Sequence, residues 1–209
     1  MIRGGITRKF SRRARKRAKK DNRDAQLYYN TSPSAFFAPL RLCVRNSEKI
    51  NMIRIGLGKD LHRLEAGRRF LLGGVEIPFE KGEAGYSDGD VLAHAVCDAL
   101  LGAAALGDIG ELYPDNDPAW KDADSLKLLK NAWHCVKATG WRLVNLDCVI
   151  TCEAPKILPH RESIRRSLAN ALEVEPDKVF VKGKTNEGLG PLGTGEAVEA
   201  LAVCLLERD

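Results

Sequence analysis

The charge pattern of this chain breaks at about residue 51, and the break decides how much of it can fold. Residues 1–50 hold 14 Lys and Arg against three acids, Asp21, Asp24 and Glu48. The run Ser11-Arg12-Arg13-Ala14-Arg15-Lys16-Arg17-Ala18-Lys19-Lys20 is a block of like charge, which repels itself and has little to bury. Thr31 to Leu42 mixes Ser, Pro and Phe without a period. The rest of the chain holds 19 basic and 25 acidic residues, so the net charge of +5 says nothing about what that part binds. Residues 1–51 are read as a basic N-terminal extension, expected to be disordered. It is either an over-extended start with Met52 as the initiator or an organelle-targeting peptide. Few serines and several acids weaken the targeting reading, and nucleic-acid binding by the block ranks last. The expected location is cytoplasmic, or a plastid-type organelle if residues 1–51 are a transit peptide.

From Met52 onward the apolar residues acquire a period. Ile53, Ile55 and Leu57 alternate with other residues, a strand signal, and Asp60-Leu61-His62 is expected to end that strand. Phe70–Leu72, Gly73-Gly74 and Val75–Phe79 read as a hairpin. Ser87-Asp88 is the expected N-cap of a helix from about Gly89 to Leu106. A second helix is expected from Asp124 to Ala138, stopping at Gly140. Trp141–Thr151 reads as a strand, and Pro159 as the opening of a third helix reaching Leu172. Val179–Lys182 and Ala197–Leu206 are the last expected strands. Residues 52–209 therefore predict a single α/β (α+β) domain with one mixed sheet covered by helices. No apolar stretch reaches the roughly 18–20 residues of a membrane span. The six cysteines form no CxxC pair and read as small buried hydrophobes in a reducing compartment.

Three groups of residues bear on chemistry. Asp60 and His62 stand at i and i+2, so their side chains share one face of an extended chain. His94 lies in mid-helix between apolar neighbours. With Asp60 and His62 it would complete the three protein ligands of an open zinc site; the alternative is a hydrogen-bonded core histidine. Asp88, Asp90, Asp108, Asp115, Asn116 and Asp117 cluster near the ends of that helix, where they suit caps and turns or a site that orients hydroxyls and divalent ions. Finally, Lys182-Gly183-Lys184-Thr185-Asn186-Glu187 contains a Gly-Lys-Thr triplet. A P-loop would need Gly at 178, which is Lys178, and that reading is rejected. Thr185 and Glu187 still suit a loop that meets phosphate through a bridging cation.

The strings Ser87-Asp88-Gly89-Asp90, Leu100 to Gly110 and Ala154-Pro155-Lys156-Ile157-Leu158-Pro159-His160, together with Asp60-Leu61-His62, resemble the 2-C-methyl-D-erythritol 2,4-cyclodiphosphate synthase family. The resemblance covers essentially all of residues 52–209, with the motifs in family order. It implies an enzyme of the non-mevalonate isoprenoid pathway. That enzyme converts 4-diphosphocytidyl-2-C-methyl-D-erythritol 2-phosphate to the cyclic diphosphate and releases CMP.

The resemblance also implies roles for particular residues. Asp60, His62 and His94 are similar to the family's Zn²⁺ ligands, and Glu187 to the ligand of a second cation, Mg²⁺ or Mn²⁺. Thr185 stands where a hydroxyl helps polarise the phosphates. Tyr86 stands where relatives commonly have a catalytic His. The methylerythritol pocket is implied to include Asp108, Ile109 and Gly110, with Tyr113, Pro114, Asp115, Asn116 and Asp117; Asp60, Leu61, His62, Tyr86 and Ser87 are also implied to bind substrate. The cytidine-phosphate side is implied to include Cys152, Glu153, Ala154, Pro155, Lys156, Ile157 and Leu158, with Lys184, Thr185, Asn186 and Glu187. The implied assembly is a homotrimer with its active sites between subunits. Pro191 and Thr194 stand where many relatives have Phe and Arg.

Overall fold

Strand β1 runs over Met52–Ala66 and organises everything that follows. The structure is a computed structural model that describes residues 52–209; the readings made for residues 1–51 lie outside the described residues. After β1 come β2 (Phe70–Leu72), β3 (Val75–Ile77), β4 (Lys81–Glu83) and helix α1 (Val91–Ala104). A short helix α2 (Ile109–Leu112) and helix α3 (Ser125–Lys137) precede β5 (Arg142–Thr151). Helix α4 (Arg161–Leu172), β6 (Val179–Lys184), a single turn α5 (Gly190–Gly193) and β7 (Ala197–Arg208) complete the unit.

The main sheet has strand order β4-β1-β7-β5-β6. Only β5 and β6 pair in parallel, so the sheet is mixed as expected. The expected hairpin forms, with Phe70 opposite Ile77 and Leu72 opposite Val75. It makes a separate two-stranded sheet, so the expectation of one sheet is corrected to two, and β4 was not foreseen. Asp60-Leu61-His62 does not end β1; pairing with β7 continues to Arg63 opposite Ala197.

Helix α1 begins later than expected, and its N-cap is Asp90 rather than Ser87-Asp88. The Asp90 carboxylate accepts from Ala93 N, Gly73 N and Gly74 N. The hairpin's amides thus select this acid from the Ser-Asp-Gly-Asp run. The third helix is preceded by a 3-10 turn over Leu158–His160 and becomes α-helical only from Arg161.

The helices lie on one face of the main sheet. On β1 the even positions face α1, and two of them are Gly56 and Gly58. A Cβ on either would come within 1.9 Å of a carbonyl oxygen, Ala99 O or Ala95 O respectively. Opposite them on β7 stand Ala202 and Cys204, again small and fully buried. This floor lets α1 settle onto the backbone of β1. Leu92, Leu100 and Leu101 of α1 are sealed from water, each stabilising by roughly 2 kcal/mol.

No element among the described residues covers the opposite face of the sheet. Ile53, Ile55 and Leu57 are 60 %, 72 % and 65 % exposed, and Val203 and Phe180 also face out. No helix among the described residues is long and apolar enough to cross a membrane.

Candidate active site

Strand period and helix seating bring three donors together. Asp60 and His62 project from β1 toward α1, and His94 stands on α1 beside Ala95, whose carbonyl lies over Gly58. Asp60 Oδ2 lies 3.0 Å from His62 Nε2 and 3.0 Å from His94 Nδ1. One donor atom from each residue falls within 4.8 Å of the others, and this is the one group of potential metal ligands among the described residues. All three side chains are partly buried, at 27 %, 13 % and 14 % exposure, so the cluster is reachable from one side.

The second nitrogen of each ring is already committed. His62 Nδ1 donates to Gly89 O at 2.6 Å. Gly89 is at φ 86°, where an L side chain is strained, and a Cβ would strike Glu83 O. His94 Nε2 lies 2.9 Å from Ser125 Oγ and 3.0 Å from Ser87 Oγ. Both imidazoles therefore turn their remaining nitrogen toward Asp60. Hydrogen-bonded outer nitrogens and convergent inner ones are what a bound cation requires of histidine ligands. The residues fit a tetrahedral ion with one position left open.

Electrostatics agree. Burial alone would raise the Asp60 carboxyl, but hydrogen bonds and charge from His62 and His94 outweigh it and hold Asp60 well below the usual carboxylate range. Burial alone would lower His62, but Asp60 overcomes it and raises the imidazole.

Of the acids near the ends of α1, Asp90, Asp108 and Asp117 serve as caps, and Asp124 caps α3. Asp108 caps α2 through Glu111 N, Asp117 caps the turn at 118–120 through Ala119 N, and Asp124 caps α3 through Lys127 N. Ile109 N donates to Asp98 Oδ1 at 2.8 Å, one helical turn beyond His94. Asp108, Ile109 and Gly110 are thereby fastened to the helix that carries a metal ligand. Pro114, Asp115, Asn116 and Asp117 form a turn closed by Asp117 N to Pro114 O. Tyr113 rests its ring on Trp120 and donates to Leu128 O. Tyr86 donates to Asp117 O at 3.3 Å, tying its loop to the same turn. Leu61 points to the other face of the sheet, half exposed.

The second predicted group gathers at the other edge of the sheet. Cys152 N donates to Lys184 O, and Asn186 N to Glu153 Oε2. These bonds zip the loop 152–158 to the loop after β6. Ile157 backs Gly183, while Ala154, Lys156 and Leu158 are exposed and Pro155 is half-buried. Thr185 Oγ1 donates to Glu187 Oε1 at 2.7 Å, and Glu187 is exposed.

The two groups do not meet within one chain. Leu61 pairs with Glu199, Glu199 with Thr151, and Thr151 with Lys184. They share one row of the sheet but lie three strand spacings apart, roughly 14 Å.

Sequence reasoning missed Ser125, Gly89, Asp98 and Glu83. Each acts across 8 to 31 residues of chain, and no local pattern announces such contacts.

Fold and site together define a class, an α/β enzyme unit carrying a three-donor group on its sheet that could hold a metal ion. The YgbB family model matches residues 53–207. A 2-C-methyl-D-erythritol 2,4-cyclodiphosphate synthase of Treponema denticola is 55 % identical over 154 residues, covering 74 % of this chain and 96 % of the relative. A solved synthase structure, in a CDP-bound form, superposes with TM-score 0.68 at 43 % identity, covering 73 % of this chain and 99 % of that one. A bifunctional IspDF from Campylobacter jejuni superposes with TM-score 0.74 at 40 % identity; it covers 76 % of this chain, which spans 43 % of that longer protein. The chain belongs to the YgbB family, that of the 2-C-methyl-D-erythritol 2,4-cyclodiphosphate synthases.

Proposed function

We propose that this chain converts 4-diphosphocytidyl-2-C-methyl-D-erythritol 2-phosphate to 2-C-methyl-D-erythritol 2,4-cyclodiphosphate with release of CMP, as a metal-dependent phosphorus-oxygen lyase of isoprenoid precursor synthesis. The observation that carries the reading is the convergence of Asp60, His62 and His94 with their outer nitrogens fixed, in a chain 55 % identical to a synthase of that name.

The chemistry asks little covalent work of the protein. A 2-phosphate oxygen attacks the β phosphorus, the bond from that phosphorus to the bridging oxygen breaks, and CMP departs with the electron pair. The nucleophile is already anionic, so positioning and charge neutralisation dominate. Zn²⁺ held by Asp60, His62 and His94 would supply Lewis-acid polarisation of a phosphate oxygen, and a Mg²⁺ or Mn²⁺ held by Glu187 would be shared with substrate oxygens. Thr185 and Glu187 form one hydroxyl-carboxylate unit facing solvent, suited to phosphate and to its cation. Asp108 spends one oxygen on its helix cap, and the other is free to accept a substrate hydroxyl. Tyr86, in the catalytic position, donates its hydroxyl to Asp117 O. It therefore shapes the loop that encloses the methylerythritol part, and a phenol brings no positive charge to the phosphate.

Assembly belongs to the same reading. A bare face carrying Ile53, Ile55 and Leu57 asks for a partner, and the two halves of the predicted site lie too far apart to share one diphosphate. A homotrimer that places the cytidine side of one subunit against the metal side of the next answers both needs. Residues 52–209 form the synthase unit in this reading, residues 1–51 are an appendage, and the protein acts in the cytoplasm.

The test is the product. Purified protein incubated with the cytidine substrate, Zn²⁺ and Mg²⁺ should yield the cyclic diphosphate and CMP in equal amounts by ³¹P NMR and mass spectrometry. Release of inorganic phosphate or a linear phosphate product would instead make it a phosphohydrolase.

A further inference from the structure

Helix α3 reaches the metal centre without supplying a ligand. Its first residue, Ser125, is fully buried, and its hydroxyl sits 2.9 Å from His94 Nε2 and 2.5 Å from Asp88 Oδ1. Asp88 also accepts from Ser125 N at 3.1 Å, so one carboxylate holds both the amide and the hydroxyl of the serine. The neighbouring backbone is zipped as well. Asp88 N donates to Ala123 O and Asp122 N to Tyr86 O. These bonds fix the segment before α1 against the segment before α3.

The direction of the protons follows from the chemistry of the groups. A carboxylate only accepts, so the Ser125 hydroxyl donates to Asp88. The Ser125 oxygen then accepts, from His94 Nε2–H at 2.9 Å and from the Ser87 hydroxyl at 3.1 Å. Nε2–H faces away from the site, and Nδ1, the atom 3.0 Å from Asp60, is the ring nitrogen turned toward it. The chain from His94 through Ser125 to Asp88 ends on a negative charge, which strengthens each bond along it.

We propose that Ser125 and Asp88 are positioning residues for the metal. They hold the His94 ring through Nε2, with Nδ1 aimed at the Asp60–His62 pair, where it would meet a bound cation. Helix α3 thereby sets the geometry of a centre whose three donors come from β1 and α1. The proposal rests on the reading of Asp60, His62 and His94 as a metal site. It adds a device that tunes affinity for that metal. Ser87 Oγ, 3.0 Å from the same nitrogen, is a weaker substitute. It accepts from Gly89 N and has no carboxylate of its own behind it.

The experiment measures Zn²⁺ affinity of the metal-free protein in competition with a chromophoric chelator. Ser125→Ala should bind Zn²⁺ about 10- to 100-fold more weakly than wild type, while the melting temperature of the metal-free protein is unchanged. Asp88→Asn should weaken binding in the same direction. In both variants, the visible absorption bands of the Co²⁺-substituted protein should shift, a change that a distant packing defect would not produce. Zn²⁺ affinity within twofold of wild type in both folded variants would overturn the proposal. If Ser125→Ala does not fold, Asp88→Asn alone decides it by the same criterion. A wild-type protein that takes up no Zn²⁺ would overturn the metal reading itself, which is a different result.

Discussion

Glu83 is a carboxyl group sealed from water with one of its oxygens lacking a partner. Its Oε2 accepts from Val91 N at the start of α1, and Oε1 meets no donor among the described residues. Burial first, then the nearby Asp90 charge, pushes this carboxyl well above its usual value of 4.5. The sign of its pH effect follows. Below about 4.5 both folded and unfolded chains hold the proton. Above it the unfolded chain releases the proton while the folded chain keeps it, so Glu83 destabilises progressively as pH rises until its folded-state value is passed. Glu83→Gln keeps the shape and the bond to Val91 N but does not titrate. In metal-free protein, the urea midpoint of the variant relative to wild type should therefore increase as the pH rises above about 4.5. A difference independent of pH would show that Glu83 is not held neutral. The convergence of Asp60, His62 and His94 was legible in the sequence because Asp60 and His62 obey a strand period and His94 interrupts an apolar helix. Glu83 and Ser125 were not, because a buried acid in Lys-Gly-Glu-Ala and a serine after a helix cap look like ordinary surface residues.

Strand β1 and helix α1 make the site by close approach. The alternation of Ile53, Ile55 and Leu57 correctly marked a strand, yet those residues face away from α1 while Gly56 and Gly58 face it. Alternation reveals that a strand exists; which face meets the helix depended on the small residues of β7 and on the carbonyls of α1. The helix start was blurred for a similar reason. Ser87, Asp88 and Asp90 are all good caps, and only the hairpin amides of Gly73 and Gly74 decide for Asp90. The seating can be tested at Gly58. A Cβ there would lie 1.9 Å from Ala95 O and 2.6 Å from Ala99 N, both backbone atoms that cannot step aside. Gly58→Ala should cost about 3 kcal/mol by urea denaturation, at the upper end for overpacking. It should also weaken Zn²⁺ binding, because α1 must move away from β1 and carry His94 with it. Wild-type stability with wild-type Zn²⁺ affinity would mean that the contact between β1 and α1 does not set the metal geometry.

The family match begins at residue 53, and none of the site residues precedes Asp60. Deleting residues 1–51 should therefore leave turnover per folded subunit within about twofold of the full chain, since no metal donor is lost. A large fall would assign the extension a part in catalysis. The proposed trimer makes a sharper demand. Asp60, His62 and His94 stand on β1 and α1, whereas Thr185 and Glu187 follow β6, three strand spacings away along the same row. Two phosphates of one substrate cannot span roughly 14 Å of sheet, so in the proposed trimer a working site combines the metal side of one subunit with the Glu187 side of another. Such a head-to-tail contact closes into a ring under threefold symmetry. His94→Ala removes one of three zinc donors, and Glu187→Gln removes the charge that a hard second cation needs. Each homotrimer should be inactive, the first lacking Zn²⁺ and the second retaining it. Unfolded together in equal amounts and refolded, the two chains assort at random. A site is intact only where a subunit with His94 faces a neighbour with Glu187, which occurs at about one contact in four. Activity should recover toward about a quarter of wild type. If mass spectrometry confirms mixed trimers and no activity returns, both residues serve a site within one chain, and the bare face of the sheet must be explained in another way.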